Sequence, residues 1–283
     1  MTDHTELLKI MKTYAYDAGS IAIQAQAEAK ASLKDDDSYV TGVDLQLSEL
    51  AFERLSRVLP EESIVSEERL SHLDRFSGPL SQPDQGDPEV FAVLDPIDGT
   101  RNYFHQVPLY AVSLGVFRNR KPWLGVVAFP ALGELFVCDG ERVLLTRDAW
   151  SADPVTEELH GQRNPSPLDQ NQIVLFTNSY TRRYGWSYDV CTWLVTACAA
   201  ANACWPLIGR GAGTVLTDHV WDFAGAWPML VKLGFDLRGS VSGDCMNTYD
   251  AAWFEPGSRM LREPVIASRG EHYEALRKGI LSL

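Results

Sequence analysis

Long apolar runs are missing from this sequence. No uninterrupted apolar stretch approaches the roughly 18 residues a membrane-spanning helix needs, although 45% of the 283 residues are apolar, so sizeable cores are expected and a membrane span is not. Cysteine is scarce: Cys138, Cys191, Cys198, Cys204 and Cys245 form an odd set with no C-x-x-C pair, mostly among Ala, Val and Trp. They read as free, inert core thiols of a reducing compartment. Positive charge is short too, with Lys+Arg at 25 against Asp+Glu at 38 and a formal net charge of -13, which argues against a nucleic-acid polymer as partner. The opening residues, MTDHTELLKIMKTYAYDAGS, carry no basic segment ahead of an apolar block, so no signal peptide is expected and a cytoplasmic location is. Two loop motifs are incomplete. GRGAG at 209–213 lacks the full G-x-G-x-x-G, and GSVSG at 239–243 has no central serine and is no nucleophile elbow.

At roughly 150 residues per domain, the length suggests two lobes. Residues 5–31 place Leu8, Met11, Ala15, Ile21, Ile23 and Ala27 at near-helical intervals, predicting a long amphipathic helix. After the polar KDDDSY, the stretch VTGVDLQLSELAFERLSRVLP predicts a second helix with an acidic start at Asp44 and a Pro stop. ESIVSEERL reads as a short strand ending in acid, and 70–89, rich in Pro, Gly, Ser and Asp, as an excursion. YAVSLGVF, KPWLGVVAFP, GELFVCDG and ERVLLTRD then predict an antiparallel sheet. The polar, proline-bearing 150–172 marks the lobe boundary, giving an α+β lobe at 1–149 and an α/β lobe at 150–283. In the second lobe IVLFTNS, GTVLT and PVIAS read as strands, and VCTWLVTACAAANACW, FAGAWPMLVKLG and HYEALRKGI as helices.

The chemistry lies in acids that follow extended or turn segments: Glu67 with Glu68 after SIVS, Asp95 with Asp98 after FAVL, and Asp222 in VWDFAG. Each alone has an ordinary reading, as a solvated Glu pair, a D-P-x-D turn or a helix N-cap. Together they need cations, because carboxylates at close range raise one another's pKa. A cluster of oxygens without His or Cys suits a hard ion, Mg²⁺ above all. Pro96 bends the chain so that the Ile97 carbonyl and both aspartates can face one point, and Gly99 permits close backbone approach. Thr100 can then open a helix whose free N–H groups accept an anion, so metals on one side and amides on the other describe a phosphate site.

DPIDGTRNYF at 95–104 resembles the D-P-x-D-G-T-x-N-[FY] signature of the inositol monophosphatase superfamily of Mg²⁺-dependent, lithium-sensitive phosphatases. In the same order, SEE at 66–68 resembles the family's G-E-E, and WDFAG at 221–225 its W-D-x-A-G. VTGVD at 40–44 is similar to its T-x-x-D element, and Lys34 lies where a lysine often precedes it. The resemblance implies a layered αβαβα sandwich of two lobes with the site between them. It implies that Glu67, Asp95 and the Ile97 carbonyl hold one Mg²⁺, and Asp95, Asp98 and Asp222 a second, with Glu67 serving a weaker third through water. Asp44 and Thr100 would orient and deprotonate the attacking water, and the Gly99 and Thr100 amides would cradle the phosphate. The implied activity is hydrolysis of a small metabolite phosphate such as a sugar or polyol phosphate, by a homodimer as in many members. A nucleotide 3'-phosphatase, a histidinol-phosphate phosphatase and a non-catalytic metal- and phosphate-binding regulator stay open as alternatives.

Some positions depart from that pattern. Ser66 stands where the family has glycine, which a negative φ accommodates. Pro228 falls inside the helix expected after Asp222 and predicts a kink or a shifted start. In inositol-specific members an acid seven residues before the W-D aspartate contacts sugar hydroxyls; Val215 occupies that place here, and Gly211 that of a second acid. A valine offers hydroxyls no partner, so the pattern supports the phosphatase core more than inositol as substrate. Asp218 is a candidate substrate contact whose ordinary reading is an exposed loop acid. His105 and His219 read as supporting or surface groups, and the eight tryptophans as core.

Overall fold

The computed structural model describes residues 3–33, 39–68, 88–161, 168–187, 189–255 and 258–282. Lys34 and most of the 70–89 excursion lie outside the described residues. The chain opens with α1 (His4–Ala25), capped by the Asp3 side chain, then β1 (Ala31–Leu33), β2 (Tyr39–Thr41) and α2 (Gly42–Leu55). Helix α1 stops short of the expected residue 31 because Ala31–Leu33 pair with β2, a tertiary contact that overrides the helix propensity of alanine.

A seven-stranded sheet follows in the order β3 (Ile64–Ser66), β4 (Val90–Asp98), β5 (Ala111–Arg118), β6 (Lys121–Phe129), β7 (Glu134–Cys138), β8 (Val143–Arg147) and β9 (Val155–Leu159), with the short helix α3 (Thr100–Phe104) between β4 and β5. Only β3 and β4 pair parallel. Its last strand, 155–159, comes after residue 149, where the sequence placed the lobe boundary, and pairs along β8.

The remaining elements are β10 (Ile173–Phe176), α4 (Asn178–Thr181), β11 (Tyr184–Trp186), β12 (Thr192–Val195), α5 (Ala199–Cys204), β13 (Gly213–Leu216), α6 (Val220–Ala224), α7 (Trp227–Lys232), β14 (Asp236–Gly239), β15 (Val265–Ser268), α8 (Gly270–Gly279) and β16 (Ile280–Ser282). A five-stranded sheet has the order β12-β10-β13-β15-β14. One expected helix is corrected, and another has its start shifted as Pro228 predicts. Within 190–205 the β-branched and aromatic TWLV forms edge strand β12 and only 199–204 is helical. The helix after Asp222 breaks at Gly225 and restarts with Pro228 in the first turn of α7, where a missing N–H costs nothing.

Side-chain alternation builds the layers. Ala92 and Leu94 of β4 pack with Leu7, Met11 and Leu47 of α1 and α2, whereas Phe91 and Val93 join Ala201, Phe223 and Trp227 of α5, α6 and α7. From the far side of those helices Leu216, Val265 and Ala267 enter the same core. Val215 and Ile266 point the other way, to Tyr273 and Leu276 of α8. The order is helices, sheet, helices, sheet, helix: the αβαβα sandwich.

Candidate metal and phosphate site

Residues three apart on a regular strand face opposite sides, so Asp95 and Asp98 should diverge. They do not, because pairing with β5 slips between Asp95↔Ser113 and Asp98↔Ala111. Ile97 consequently joins the face of Ala92 and Leu94 toward α1 and α2, and both aspartates turn toward α6. Pro96, with no N–H to leave unpaired, occupies this bulge.

The partner acid arrives on α6, which lies flat on the sheet because the sheet is bare beneath it. A Cβ at Gly115 would stand 2.2 Å from the Ala224 carbonyl oxygen, and one at Gly125 2.0 Å from that of Gly225. Glycine at both positions lets the backbones touch and brings Asp222 over β4. Carboxylate oxygens of Glu67, Asp95 and Asp222 then lie within 4.8 Å of one another. Both Asp95 oxygens are buried without a hydrogen-bond partner among the described residues. Burial pushes the Asp95 pKa up, and Glu67, Asp98 and Asp222 add to the shift. Burial likewise pushes Asp98 up, followed by Asp222.

Asp98 lines the same cleft but is gripped from the start of α5. Its Oδ1 accepts from Ala199 N at 3.2 Å, and its Oδ2 from Ala200 N at 2.6 Å and from Cys198 Sγ at 3.0 Å. Oδ1, with a single donor, keeps a lone pair for a cation. The expectation of uniformly inert core cysteines is corrected at Cys245, which is exposed; Cys198 is a buried thiol that also donates to a site aspartate.

Asp44 is buried at the third position of α2, where it and Thr41 form a capping box: Thr41 N donates to Asp44 Oδ2 at 2.8 Å, and the Thr41 hydroxyl donates to the same oxygen. Asp44 Oδ1 faces the Thr100 hydroxyl at 3.3 Å, and that hydroxyl lies 2.9 Å from the Ile97 carbonyl oxygen. Gly99 adopts φ 83, a left-handed conformation that turns the chain into α3. Ser66 sits in β3 with its hydroxyl 2.6 Å from that of Ser48, so its replacement of glycine is accommodated. Glu68 is buried and does not line the cleft.

Two substrate-side expectations change. Val215 is wholly buried against the α8 layer and does not reach the cleft, because alternation along β13 turns it away. Asp218 is a buried cleft residue, not an exposed loop acid. The Thr177 hydroxyl donates to it at 2.7 Å, Thr217 N at 3.3 Å, and Ser179 Oγ also contacts it. Burial, then Asp222, push its pKa up to about 6. His219 stacks on Trp221 with ring centroids 4.7 Å apart and donates its backbone N–H to Asp222 Oδ2 at 2.7 Å. Burial disfavours the imidazolium, but Asp222 outweighs it and the pKa rises. The cleft also contains Tyr39, Arg101, Asn178 and Arg182, which no sequence motif marked. Among the described residues, no helix is long and apolar enough to cross a membrane.

The pattern described as the inositol monophosphatase family matches residues 3–278. The uncharacterized protein y4fL of Sinorhizobium fredii is 32% identical over 207 residues, covering 68% of this chain but only 63% of its own length. The histidinol-phosphatase of Chlorobaculum parvum is 28% identical over 228 residues, or 74% of this chain and 76% of that protein. A crystal structure of an IMPase/NADP phosphatase complexed with Mg²⁺ and phosphate superposes with TM-score 0.73 at 16% identity, covering 99% of this chain and 98% of that one. The chain belongs to the inositol monophosphatase family, a family of phosphatases.

Proposed function

We propose that the protein hydrolyses phosphate monoesters of small soluble metabolites with the help of Mg²⁺. The observation that carries this reading is the meeting of Glu67, Asp95 and Asp222 within 4.8 Å, with both Asp95 oxygens buried and unpartnered among the described residues. An oxygen-only donor set of high negative charge fits Mg²⁺. Glu67, Asp95 and the Ile97 carbonyl would hold one ion, Asp95, Asp98 and Asp222 another, and Glu67 a weaker third. Bound there, such ions lower the pKa of water and stabilise charge on phosphoryl oxygens.

The chain's own groups supply the rest. Asp44, pinned by Thr41, keeps a carboxylate oxygen facing the Thr100 hydroxyl, so Thr100 can orient an attacking water and pass a proton to Asp44. The Gly99 and Thr100 N–H groups open α3 without an intrahelical partner and can cradle phosphate oxygens. A regulator that only binds metal and phosphate would have no use for the Asp44–Thr100 contact. Inorganic phosphate released from a panel of sugar, polyol, nucleotide 3'- and histidinol phosphates tests the reading and ranks those alternatives. Release is expected with Mg²⁺ and not with chelator; no release from any compound would refute it.

A further inference from the structure

Four cleft residues are left over from the metal and phosphate chemistry: Tyr39, Arg101, Asn178 and Arg182. Among the described residues, neither guanidinium has a hydrogen bond or an ion pair, and neither the Tyr39 hydroxyl nor the Asn178 amide is engaged. Adjacent Arg183 shows the contrast, since its guanidinium is committed to the Thr217 carbonyl at 2.9 Å and the Ser179 carbonyl at 3.4 Å. In a chain where Asp+Glu outnumber Lys+Arg by 38 to 25, two arginines in one cleft with no acid partner among the described residues stand out.

The acceptors of the same wall are already used. Asp218 takes the Thr177 hydroxyl at 2.7 and 2.9 Å, the Thr217 amide at 3.3 Å and Ser179 Oγ. Glu67, Asp95, Asp98 and Asp222 are the cation ligands of the proposed function. What remains open is dominated by donors, two of them permanently charged. A neutral polyol brings hydroxyl protons as well as lone pairs and would leave those protons unmatched. An anionic group brings acceptors only, and the planar fork of arginine fits carboxylate or phosphate oxygens in pairs.

We propose that Arg101 and Arg182 form a subsite for a second anionic group, so that the preferred substrate is a phosphate monoester whose alcohol portion carries a further phosphate or carboxylate. The proposal rests on the phosphomonoesterase reading. Arg101 follows the phosphate-facing Thr100 on α3, whereas Arg182 caps α4 in the second lobe, so a substrate engaging both would bridge the lobes.

The test compares matched pairs that differ only in the second group: fructose 1,6-bisphosphate against fructose 1-phosphate, and 2-phosphoglycerate against glycerol 2-phosphate. In each pair where the second group is read, the wild type is expected to favour the doubly anionic member by about tenfold or more in kcat/KM. That ratio should shrink with rising salt and collapse toward one in an R101Q/R182Q double variant. The first pair isolates a phosphate source and the second a carboxylate; preference in either supports the subsite. Equal kcat/KM within both pairs, or a preference that the double variant retains, overturns it. If no compound releases phosphate, the phosphatase reading fails, and calorimetric binding of both fructose phosphates with Ca²⁺ in place of Mg²⁺ decides the subsite. Tighter binding of the bisphosphate that the double variant levels would support it, and equal binding would overturn it. Both arginines are exposed, so the substitutions leave the cores untouched, and the single variants and the salt series give the same readout.

Discussion

Replacing Asp95 by asparagine separates metal binding from folding, because the two should respond in opposite directions. Asp95 is 1% exposed, its oxygens lack partners among the described residues, and Glu67, Asp98 and Asp222 surround it. Burial, followed by those three acids, raises its pKa, so the metal-free folded state binds more protons than the unfolded chain, whose aspartates titrate at about 3.9. Metal-free stability is therefore fully present below that value and falls as pH rises through the raised folded pKa. Above it, an unpaired buried carboxylate costs about 2 kcal/mol. Asp95→Asn removes the charge and supplies an amide that can donate to Glu67 or Asp222. In chelator, once the pH is high enough to ionise Asp95, the variant should melt roughly 4 to 6 °C above the wild type. Adding Mg²⁺ should reverse the order, since ligand binding stabilises only the protein that retains the site. Thermal melts at pH 5 and pH 8, with chelator and with Mg²⁺, check all of this. A variant that melts below the wild type in chelator at both pH values, or that gains as much from Mg²⁺, would refute the reasoning.

Three further outcomes are expected. Thr100→Val removes the hydroxyl between Asp44 and the Ile97 carbonyl and should lower kcat by about 10²-fold or more with little change in KM; a near-normal kcat would sink its assigned role. Cys198→Val deletes a donor to Asp98 and should weaken Mg²⁺ binding, measured by calorimetry, by about tenfold, whereas Cys198→Ser should restore it; equal affinities in both variants would contradict the positioning role. Gly115→Ala forces α6 away from the sheet and should cost about 1 to 3 kcal/mol in a denaturant melt while raising the Mg²⁺ needed for half-activation, and unchanged values would show that the close contact with Ala224 is dispensable.

Much of the site was legible in the chain because it is local chemistry. Residues 95–100 are contiguous, and their side-chain types dictate a bend, two acids and a helix start with free N–H groups wherever the strand ends. The two long N-terminal helices and the antiparallel strands followed from apolar period, and the restart at Pro228 from a missing N–H. Edge strand Thr192–Val195 was misread because a short apolar run carries no period that separates strand from helix.

Other features depended on contacts between distant segments. Alternation along β13, anchored by pairing with β15, turned Val215 into the core and left Asp218 as the acid in the cleft. Cys198 gained its aspartate from a residue 100 positions away, and Arg101 and Arg182 came to share a cleft only once α3 and α4 had packed into place. Sequence by itself determined which groups could bind a cation or a phosphate, since that resides in the atoms of each side chain. Which of them meet, and which stay without partners, was decided by the slip in β4, the bare glycines under α6 and the register of two sheets, because geometry between segments is a property of packing.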